Sequence, residues 1–458
     1  MRPIALAELA AWIGAEAPAA AARVEIGRVV TDSRKAGPGD LFVALRGARA
    51  DGHDFLAEVE RKGAAAALVG HRVPDLRLPQ LVVGDALQAL AAMAAALRAR
   101  RTTRVLALTG SNGKTTVKTL LAAVLERVGR TYATPGNRNN ELGMPLTVIE
   151  QPEDADYAVF ELGAGQPGDI AHLAAIARPE VALVNNVGPA HLERLGSLLG
   201  VARTKGEIYA ALPAGGVAVL NADDPFCTWF EDRLRGDVQR LRFGLAMPAE
   251  VAAEEVCLLP DGIEAVLRIG TRRAPLRMAR AGRHNLMNAL AAAAMAHAVG
   301  VPLEAIAAGL AAAPEVEGRA RRIPLAEGGM LIDDSYNANP GSLAAAIALL
   351  AAQPSPRLLV LGDMLELGPQ ARRMHFEVGR QARQAGIEAL FCCGELALAA
   401  AEGFGPEARH FATQDALLAA LRAGMGGFRS VLVKGSRGAR MERVVAALAE
   451  PRGNGHAA

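Results

Sequence analysis

A glycine-rich run, TGSNGKTT at residues 109–116, lies between a segment typical of a buried strand and a segment typical of a helix. In such a turn, backbone N–H groups and the helix N-terminus converge on phosphate oxygens, while a lysine adds charge and a threonine offers a hydroxyl to Mg²⁺. The residues expected to bind a nucleotide are Gly110, Ser111, Asn112, Gly113, Lys114, Thr115 and Thr116. The loop is shorter than the standard pattern, which has a glycine at the position of Leu108. A glycine turn with an incidental lysine is the alternative.

Two residues that can bind a metal follow later strand-like segments. Glu161 ends the run YAVFE, and His191 lies in a short loop after the apolar run at 181–187. Because the carboxyl ends of parallel strands meet at one edge of a sheet, we expect both side chains beside the glycine-rich loop as Mg²⁺ ligands. Histidine is an unusual ligand for this hard cation. Taken singly, Glu161 also fits a helix-capping carboxylate and His191 a hydrogen-bonded loop histidine.

Lys205 lies on an apolar stripe of a predicted helix. Steps of three and four residues place it on one face with Leu198, Val201, Ile208 and Leu212. Only six of the 50 basic residues are lysines, so a lysine on a buried stripe indicates a need for a compact amine that can lose its proton. Burial favours the neutral amine, which is nucleophilic and open to modification. The alternative is a lysine that extends its ammonium group into solvent.

The elements that must position these residues form an α/β pattern in more than one domain. At 458 residues, the chain is too long for one hydrophobic core, and about 150 residues per domain favours three. The change to a strand, turn and helix pattern from Arg104, and a boundary near residues 314–318, predict domains at 1–99, 100–316 and 317–458. The first is a small mixed domain with strand-like runs at 24–31, 40–45, 65–69 and 80–83, and helical segments at 53–62 and 86–100.

The second and third regions alternate strands and helices, which predicts open sheets covered on both faces. In the second, strands are expected at 105–109, 158–161 and 181–185, helices at 114–127, 170–177, 285–299 and 303–313, and a hairpin within 250–278. In the third, strands are expected at 330–332, 358–361, 389–392 and 431–433. The tail from Pro451 has the composition of a disordered segment.

Composition favours a reduced, cytoplasmic protein with a small-molecule substrate. The net charge of +2 provides no bulk field for nucleic acid or an anionic membrane. The four cysteines, Cys227, Cys257, Cys392 and Cys393, lack metal-ligand spacing, and an adjacent pair does not easily join distant segments. The N-terminal segment resembles no secretion leader, and the alanine-rich stretches are shorter than the ~20 residues of a membrane span.

Together, TGSNGKTT, the strand-end glutamate, NNVGPAHLE and the helix containing TKGEI resemble the ATP-dependent Mur ligase family. The resemblance implies three domains: a small mixed α/β domain, a central P-loop domain with a parallel sheet, and a C-terminal Rossmann-like α/β domain. It also implies that Lys114 and Thr115 hold ATP and Mg²⁺, that Glu161 and His191 coordinate two magnesium ions, and that Lys205 is carbamylated. A carbamate requires a neutral amine, in agreement with the independent expectation that Lys205 is buried.

Further matches extend the resemblance along the chain. GRHNLMNALAAA implies that Asn285 and Asn288 lie toward the nucleotide, and Arg319 and Asp334 resemble third-domain residues that reach back to ATP. The run that ends at Asp334 is also an apolar strand with a terminal acid, as in an ordinary nucleotide-binding element.

Three stretches resemble the family member that adds D-alanyl-D-alanine to UDP-muramoyl-tripeptide: ATPGNRNNELGMP, DDSYNANP and LVLGDMLELGPQARRMHFEVG. Residues 31–55 resemble the uridine-nucleotide domain of the family. The implied substrate-binding residues are Ser33, Arg34, Arg46 and Asn139. We expect a monomer with no nucleic-acid partner and no membrane insertion. The third residue of the peptide, lysine or diaminopimelate, is not specified by any motif.

Three alternatives stay open. The first is another Mur-type ligase, which adds the third residue or resembles folylpolyglutamate synthetase, although DNPR, DYAHTP and DGAHNP motifs are absent from the sequence. The second is a P-loop kinase acting on a small metabolite. The third is a nucleotide-regulated binding module without turnover.

Overall fold

The structure is a computed structural model that describes residues 2–47, 50–325 and 328–449. Within these residues the strands form three main sheets and one two-stranded pair. The predicted tail from residue 451 lies outside the described residues. The expected three-domain α/β architecture is confirmed, because each main sheet is mostly parallel and is covered by helices.

The N-terminal sheet is parallel, and its strands lie in the order Arg28–Val30, Asp40–Val43, Ala66–Val69 and Gln80–Val82. The separate pair joins Ile4–Ala5 to Glu25–Ile26 in antiparallel register. The helices of the N-terminal domain are Leu6–Trp12, Leu56–Arg61 and Ala86–Ala99, with 3₁₀ turns at Ala19–Ala21, Ser33–Lys35 and Gly52–Phe55. The expected single strand at 24–31 is divided at Gly27, because each half pairs with a different partner. The first helix was not anticipated, and the helix expected from residue 53 begins as a 3₁₀ turn.

The central sheet has nine strands in the part of the chain that the structure describes. Its parallel strands run in the order Thr131–Ala133, Tyr157–Glu161, Arg104–Thr109, Val181–Val184, Val217–Asn221, Gln239–Gly244 and Val251–Leu258. The antiparallel strands Ile263–Ile269 and Arg272–Met278 complete it. The expected hairpin within 250–278 is therefore a meander that continues this sheet, with Arg272–Met278 as its edge.

Helices cover both faces of the central sheet. They are Lys114–Leu125, Gly143–Glu150, Asp169–Ala177, Leu192–Leu195, Leu198–Ala210, Cys227–Glu231, Arg283–Ala298 and Leu303–Ala312. Along the strand Arg104–Thr109, Leu106 and Leu108 pack toward the alanine-rich helices, while Val105 and Ala107 pack toward the opposite layer. Both faces of this strand are therefore buried, as its continuous run of apolar residues predicted for an inner strand of a parallel sheet.

The C-terminal sheet has the strand order Arg321–Pro324, Met330–Asp334, Ser430–Lys434, Arg357–Gly362, Ala389–Cys393 and Ala408–Phe411. Only the first of these described strands pairs antiparallel to its neighbour. The helices are Pro340–Ala351, Ala371–Gln384, Ala397–Phe404, Gln414–Gly424 and Glu442–Ala449, with 3₁₀ turns at Gly368–Gln370, Met425–Gly427 and Arg437–Ala439.

No helix of the described residues is long and apolar enough to span a bilayer.

Candidate active site

The glycine-rich loop joins the strand Arg104–Thr109 to the helix Lys114–Leu125. Gly113 caps that helix with a φ of 79°, and a Cβ atom there would lie 2.3 Å from Oδ1 of Asn288. A side chain at this position is therefore excluded by both backbone conformation and space. Lys114 is folded over the loop, and its Nζ donates to the carbonyl of Gly110 at 2.7 Å. Burial lowers the pKa of Lys114.

The loop after the strand Val181–Val184 holds the glycine-rich loop in place. The Oδ1 atom of Asn186 accepts from the backbone N–H of Asn112 at 2.8 Å, and its amide nitrogen donates to the Asn112 carbonyl at 3.0 Å. Ser111 exchanges hydrogen bonds with the backbone of Gly188. These contacts fix the loop before any phosphate binds, so the backbone donors are preorganised.

The two asparagines of the alanine-rich helix differ in their contacts. Oδ1 of Asn288 accepts from the amide of Asn185 at 3.0 Å, directly behind Gly113. Asn285 donates to the carbonyl of Ala281 at 2.8 Å, within the start of its own helix. Asn288 therefore supports the loop, while Asn285 supports the local helix start.

Glu161 ends its strand inside a buried polar network. Its Oε1 accepts from the side-chain amide of Asn139 at 2.8 Å, and its Oε2 is buried without a hydrogen-bond partner in the described chain. The cation beside it is Nζ of Lys118, 3.4 Å from Oε2, which donates two hydrogen bonds to the carbonyls of Thr134 and Gly136. A buried carboxylate oxygen that lacks a donor is suited to a cation in the adjoining cleft.

His191 and Lys205 lie close enough to Lys114 for its charge to lower the pKa of both groups. Nδ1 of His191 is 2.6 Å from Oε2 of Glu366, which comes from the third domain. Lys205 is 1% exposed, and no carboxylate of the described chain lies within 4.0 Å of its amine. Burial lowers the pKa of Lys205 well below its usual value, and the charge of Lys114 lowers it further. Burial also lowers the pKa of His191, against the opposing charge of Glu366.

The predicted stripe around Lys205 is correct apart from its first member. Val201, Ile208 and Leu212 are buried, but Leu198 is 44% exposed. The prediction for Leu198 is wrong: this residue is the first of the helix Leu198–Ala210, directly after the cap residue Ser197, and the helix start is exposed there.

Third-domain residues contact the central domain at the site. The side-chain amide of Asn339 donates to Oδ1 of Asn112 at 2.8 Å. The Arg319 guanidinium lies 4.2 Å from the centre of the Tyr336 ring, and its charge lowers the pKa of Lys114 in addition to burial. Asp334 is instead paired with buried Lys434 at 2.5 Å and also accepts from the backbone of Ala320.

A cleft of about 1240 Å³ joins these groups and is lined by all three domains. Gln88 from the first domain, Glu161 and His191 from the second, and Arg319 and Glu366 from the third line it. Its lining combines cations for a phosphate with carboxylate and imidazole groups for a metal. No group of three His, Cys, Asp or Glu side chains in the described residues forms a ready-made metal site. A metal bound here would therefore need ligands besides these side chains.

The structure brings several predicted site residues to this cleft and places others elsewhere. Its lining includes Lys114, Asn139, Glu161, His191 and Arg319. Ser33 and Arg34 follow the first strand of the N-terminal sheet, and Arg46 follows the second, at the carboxyl edge of that sheet. They are outside the described cleft lining, and Arg34 and Arg46 pair with Asp32 and Asp51.

Three family models match successive parts of the chain. They are the Mur ligase family, catalytic domain at residues 25–102, the Mur ligase middle domain at 108–296, and the Mur ligase, glutamate ligase domain at 318–437. UDP-N-acetylmuramoyl-tripeptide–D-alanyl-D-alanine ligase of Escherichia coli (strain K12) is 45% identical over 435 residues, which are 94% of this chain and 95% of that protein. The chain belongs to the Mur ligase family.

Solved Mur ligase structures have the same fold. MurF from Acinetobacter baumannii matches with a TM-score of 0.93 and 36% identity, covering 98% of this chain and 100% of that one. The MurF ligase from Thermotoga maritima in complex with ADP matches with a TM-score of 0.84 and 28% identity, covering 92% and 97%. The family resemblance inferred from the motifs is therefore confirmed.

Some residues of this Mur ligase site were not anticipated from sequence. Lys118, Asn186, Asn339 and Glu366 all contact a predicted site residue directly. The scarcity of lysine was a usable signal for Lys118, since it is only 5% exposed. Glu366 lies within the stretch LVLGDMLELGPQARRMHFEVG, but its contact joins residues 175 positions apart, which no local pattern indicates.

Proposed function

We propose that this chain is an ATP-dependent, ADP-forming ligase that joins D-alanyl-D-alanine to UDP-N-acetylmuramoyl-tripeptide, giving the pentapeptide used in peptidoglycan synthesis. The observation that carries the proposal is the grouping of Lys114, Glu161 and His191 in one three-domain cleft, with buried Lys205 near Lys114 and His191. The 45% identity over nearly the whole chain to the Escherichia coli ligase of that name supports this substrate pair.

The chemistry follows from the poor reactivity of a carboxylate toward an amine. The terminal carboxylate of the tripeptide takes the γ-phosphoryl group of ATP and becomes an acyl phosphate, with release of ADP. The amine of D-alanyl-D-alanine then attacks the acyl carbon, and the intermediate collapses to an amide and inorganic phosphate. The chain itself forms no covalent bond to the substrate.

The chain's own residues position these groups and compensate their charge. Lys114 turns from the Gly110 carbonyl to the β- and γ-phosphates, and the backbone N–H groups at the start of the helix Lys114–Leu125 hold the phosphate oxygens. Arg319 reaches the transferring phosphoryl group from the third domain. We place Asn288 behind the loop and Asn285 and Asp334 toward the nucleoside, where Lys434 fixes Asp334.

We infer that two magnesium ions bind in this cleft. Thr115, Glu161, His191 and the carbamate of Lys205 would hold them, and bound Mg²⁺ neutralises the charge that develops on the phosphates. Lys205 supports this assignment because its amine is buried, has a depressed pKa and lacks a carboxylate partner among the described residues. A ¹³C NMR signal from [¹³C]bicarbonate that is present in the wild type and lost in Lys205→Met supports carbamylation. Equal spectra contradict it.

We assign one ligand to each domain. Residues 1–99 hold the UDP end through Ser33, Arg34 and Arg46, residues 100–316 hold ATP and the peptide carboxylate beside Asn139, and residues 317–458 hold the dipeptide. This division agrees with the three-domain lining of the cleft. We infer a cytoplasmic monomer, since ATP and the UDP-linked substrate are cytoplasmic metabolites and each domain already contributes to one cleft.

Phosphate release tests the proposal. The purified chain with Mg-ATP and UDP-N-acetylmuramoyl-tripeptide should release phosphate in proportion to added D-alanyl-D-alanine, with one ADP per pentapeptide. A small-molecule kinase would form ADP without an amine acceptor, and a binding module would release no phosphate. Faster turnover with glutamate on a folate, or with a diamino acid on the dipeptide precursor, would reassign the chain within the family.

A further inference from the structure

An ion pair between two domains ends on the candidate metal ligand His191. Glu366 lies just after the third-domain strand Arg357–Gly362, and its Oε2 is 2.6 Å from Nδ1 of His191. The side chains are 60% and 33% exposed, respectively, so both face the cleft rather than a closed core. An exposed pair of this kind contributes little to stability by itself.

The contact with Glu366 leaves the second ring nitrogen of His191, Nε2, available. With Nδ1–H donating to the carboxylate, Nε2 has the lone pair, and no hydrogen bond to Nε2 is present among the described residues. Histidines that bind a metal through one nitrogen usually donate the other N–H to a carboxylate, which fixes the tautomer and the ring orientation. The His191–Glu366 pair has this arrangement, with the carboxylate supplied by another domain.

The backbone on both sides is shaped for this contact. His191 and Glu366 have φ values of 54° and 62°, a left-handed conformation that side-chain-bearing residues seldom adopt. A second hydrogen bond joins the same loops, from the backbone N–H of Glu193 to the carbonyl of Glu366 at 3.5 Å. Two loops in uncommon conformations therefore meet at one point, and such conformations cluster at functional sites.

We propose that Glu366 is a positioning residue through which the third domain completes the metal site of the central domain. The inference rests on the proposed function, because it takes His191 as a magnesium ligand. It follows that metal binding and domain closure reinforce each other, since a metal bound to correctly oriented His191 favours the closed arrangement and closure favours the metal by the same factor.

Mn²⁺ binding measured by electron paramagnetic resonance tests this on the full chain with ADP and UDP-N-acetylmuramoyl-tripeptide present. Glu366→Gln keeps the size and a carbonyl oxygen but removes the charge, and should weaken Mn²⁺ binding about 10-fold, the lower end for loss of such a partner. Glu366→Ala should weaken it further. Glu395→Gln, which removes an exposed carboxylate from the same domain, is the matched control and should leave the affinity unchanged.

A double-variant comparison separates positioning from a general effect of charge. In a His191→Ala background, Glu366→Gln should have no further effect on Mn²⁺ affinity, because the group through which it acts is gone. An unchanged affinity in both Glu366 variants, or an equal loss in the His191→Ala background, overturns the proposal. A raised KM for D-alanyl-D-alanine with normal Mn²⁺ binding also overturns it and assigns Glu366 to the incoming amine. If the wild type fails to use D-alanyl-D-alanine, the proposed function fails while the Mn²⁺ comparison still decides this inference.

Discussion

Replacing Lys118 with methionine removes one ammonium group from the buried network around Glu161. The substitution keeps the length and most of the apolar stem of the side chain. It leaves Oε2 of Glu161 without its cation at 3.4 Å, and the carbonyls of Thr134 and Gly136 without their donors at 2.9 and 2.8 Å. The loop between Thr134 and Asn139, which contributes Asn137 and Asn139 to the cleft, loses its tie to the helix Lys114–Leu125.

The expected loss is large because both ions are shielded from solvent. The side chains of Lys118 and Glu161 are only 7% and 3% exposed, so screening by water is small. Breaking a buried pair by removing one partner typically costs about 3–5 kcal/mol. We expect a loss near the lower value, about 3 kcal/mol, because the pair at 3.4 Å has no hydrogen-bond geometry at Oε2. With a guanidinium dependence of about 3 kcal/mol per molar, the unfolding midpoint should fall by roughly 1 M.

The two tryptophans of the chain allow a domain-specific measurement. In a Trp12→Phe background, Trp229 in the central helix Cys227–Glu231 is the remaining tryptophan, so its fluorescence follows the central domain. Arg127→Met, which removes an exposed cation just beyond the C-terminal end of the same helix as Lys118, is the matched control and should shift the midpoint little. The KM for the UDP-linked substrate should also rise in Lys118→Met, because the Asn139 loop is released.

A second variant separates charge from packing. Adding Glu161→Gln to Lys118→Met removes both ions, and should recover part of the lost stability, since neutral replacement of a buried pair is often nearly neutral. A Lys118→Met midpoint equal to that of Arg127→Met would refute the reasoning. So would a double variant whose losses simply add, because independent losses mean that the two charges do not compensate each other.

Two further predictions have defined outcomes. Gly113→Ala combines left-handed strain of about 1–2 kcal/mol with a Cβ atom 2.3 Å from Asn288, and should abolish ADP binding in calorimetry. Gly215→Ala, with a φ of 76° and nothing within 4 Å, has the strain alone and should still bind ADP. Lys205 has a folded-state pKa below its unfolded value, so wild-type unfolding takes up a proton between these two values and stability rises with pH there. Without bicarbonate or metal, the thermal stability of the wild type relative to Lys205→Met should therefore increase from neutral to alkaline pH, and a decrease would contradict the assigned burial.

Sequence patterns predicted the parts of the site that depend on local spacing. The strand, glycine-rich loop and helix around Lys114 follow from continuous apolar runs and a turn motif, and the burial of Lys205 follows from helical periodicity. Both features depend on neighbours within a few residues. The ends of strands were predicted less well than their existence. The strand expected at 24–31 is divided in the structure, because its two halves pair with different segments.

Contacts between distant segments were not predictable in this way. Glu366 meets His191 across 175 positions, and Asn339 meets Asn112 across 227, so neither pair produces a periodic signal. The three strands at 251–278 were expected only as a hairpin, because alternation identifies a half-buried strand but does not say which sheet it joins. The pairing of Val251–Leu258 with Gln239–Gly244 adds these strands to the central sheet.

The edges of the nine-stranded sheet in the described chain have a consequence for association between copies. An open sheet presents unpaired N–H and C=O groups at each edge, which invites another strand. At one edge, Thr131–Ala133 is only three residues long. At the other, Arg272–Met278 presents the charged residues Arg272, Arg273 and Arg277, and Pro275 has no N–H to donate. Both edges are therefore poor templates for the addition of a strand from another copy of the chain.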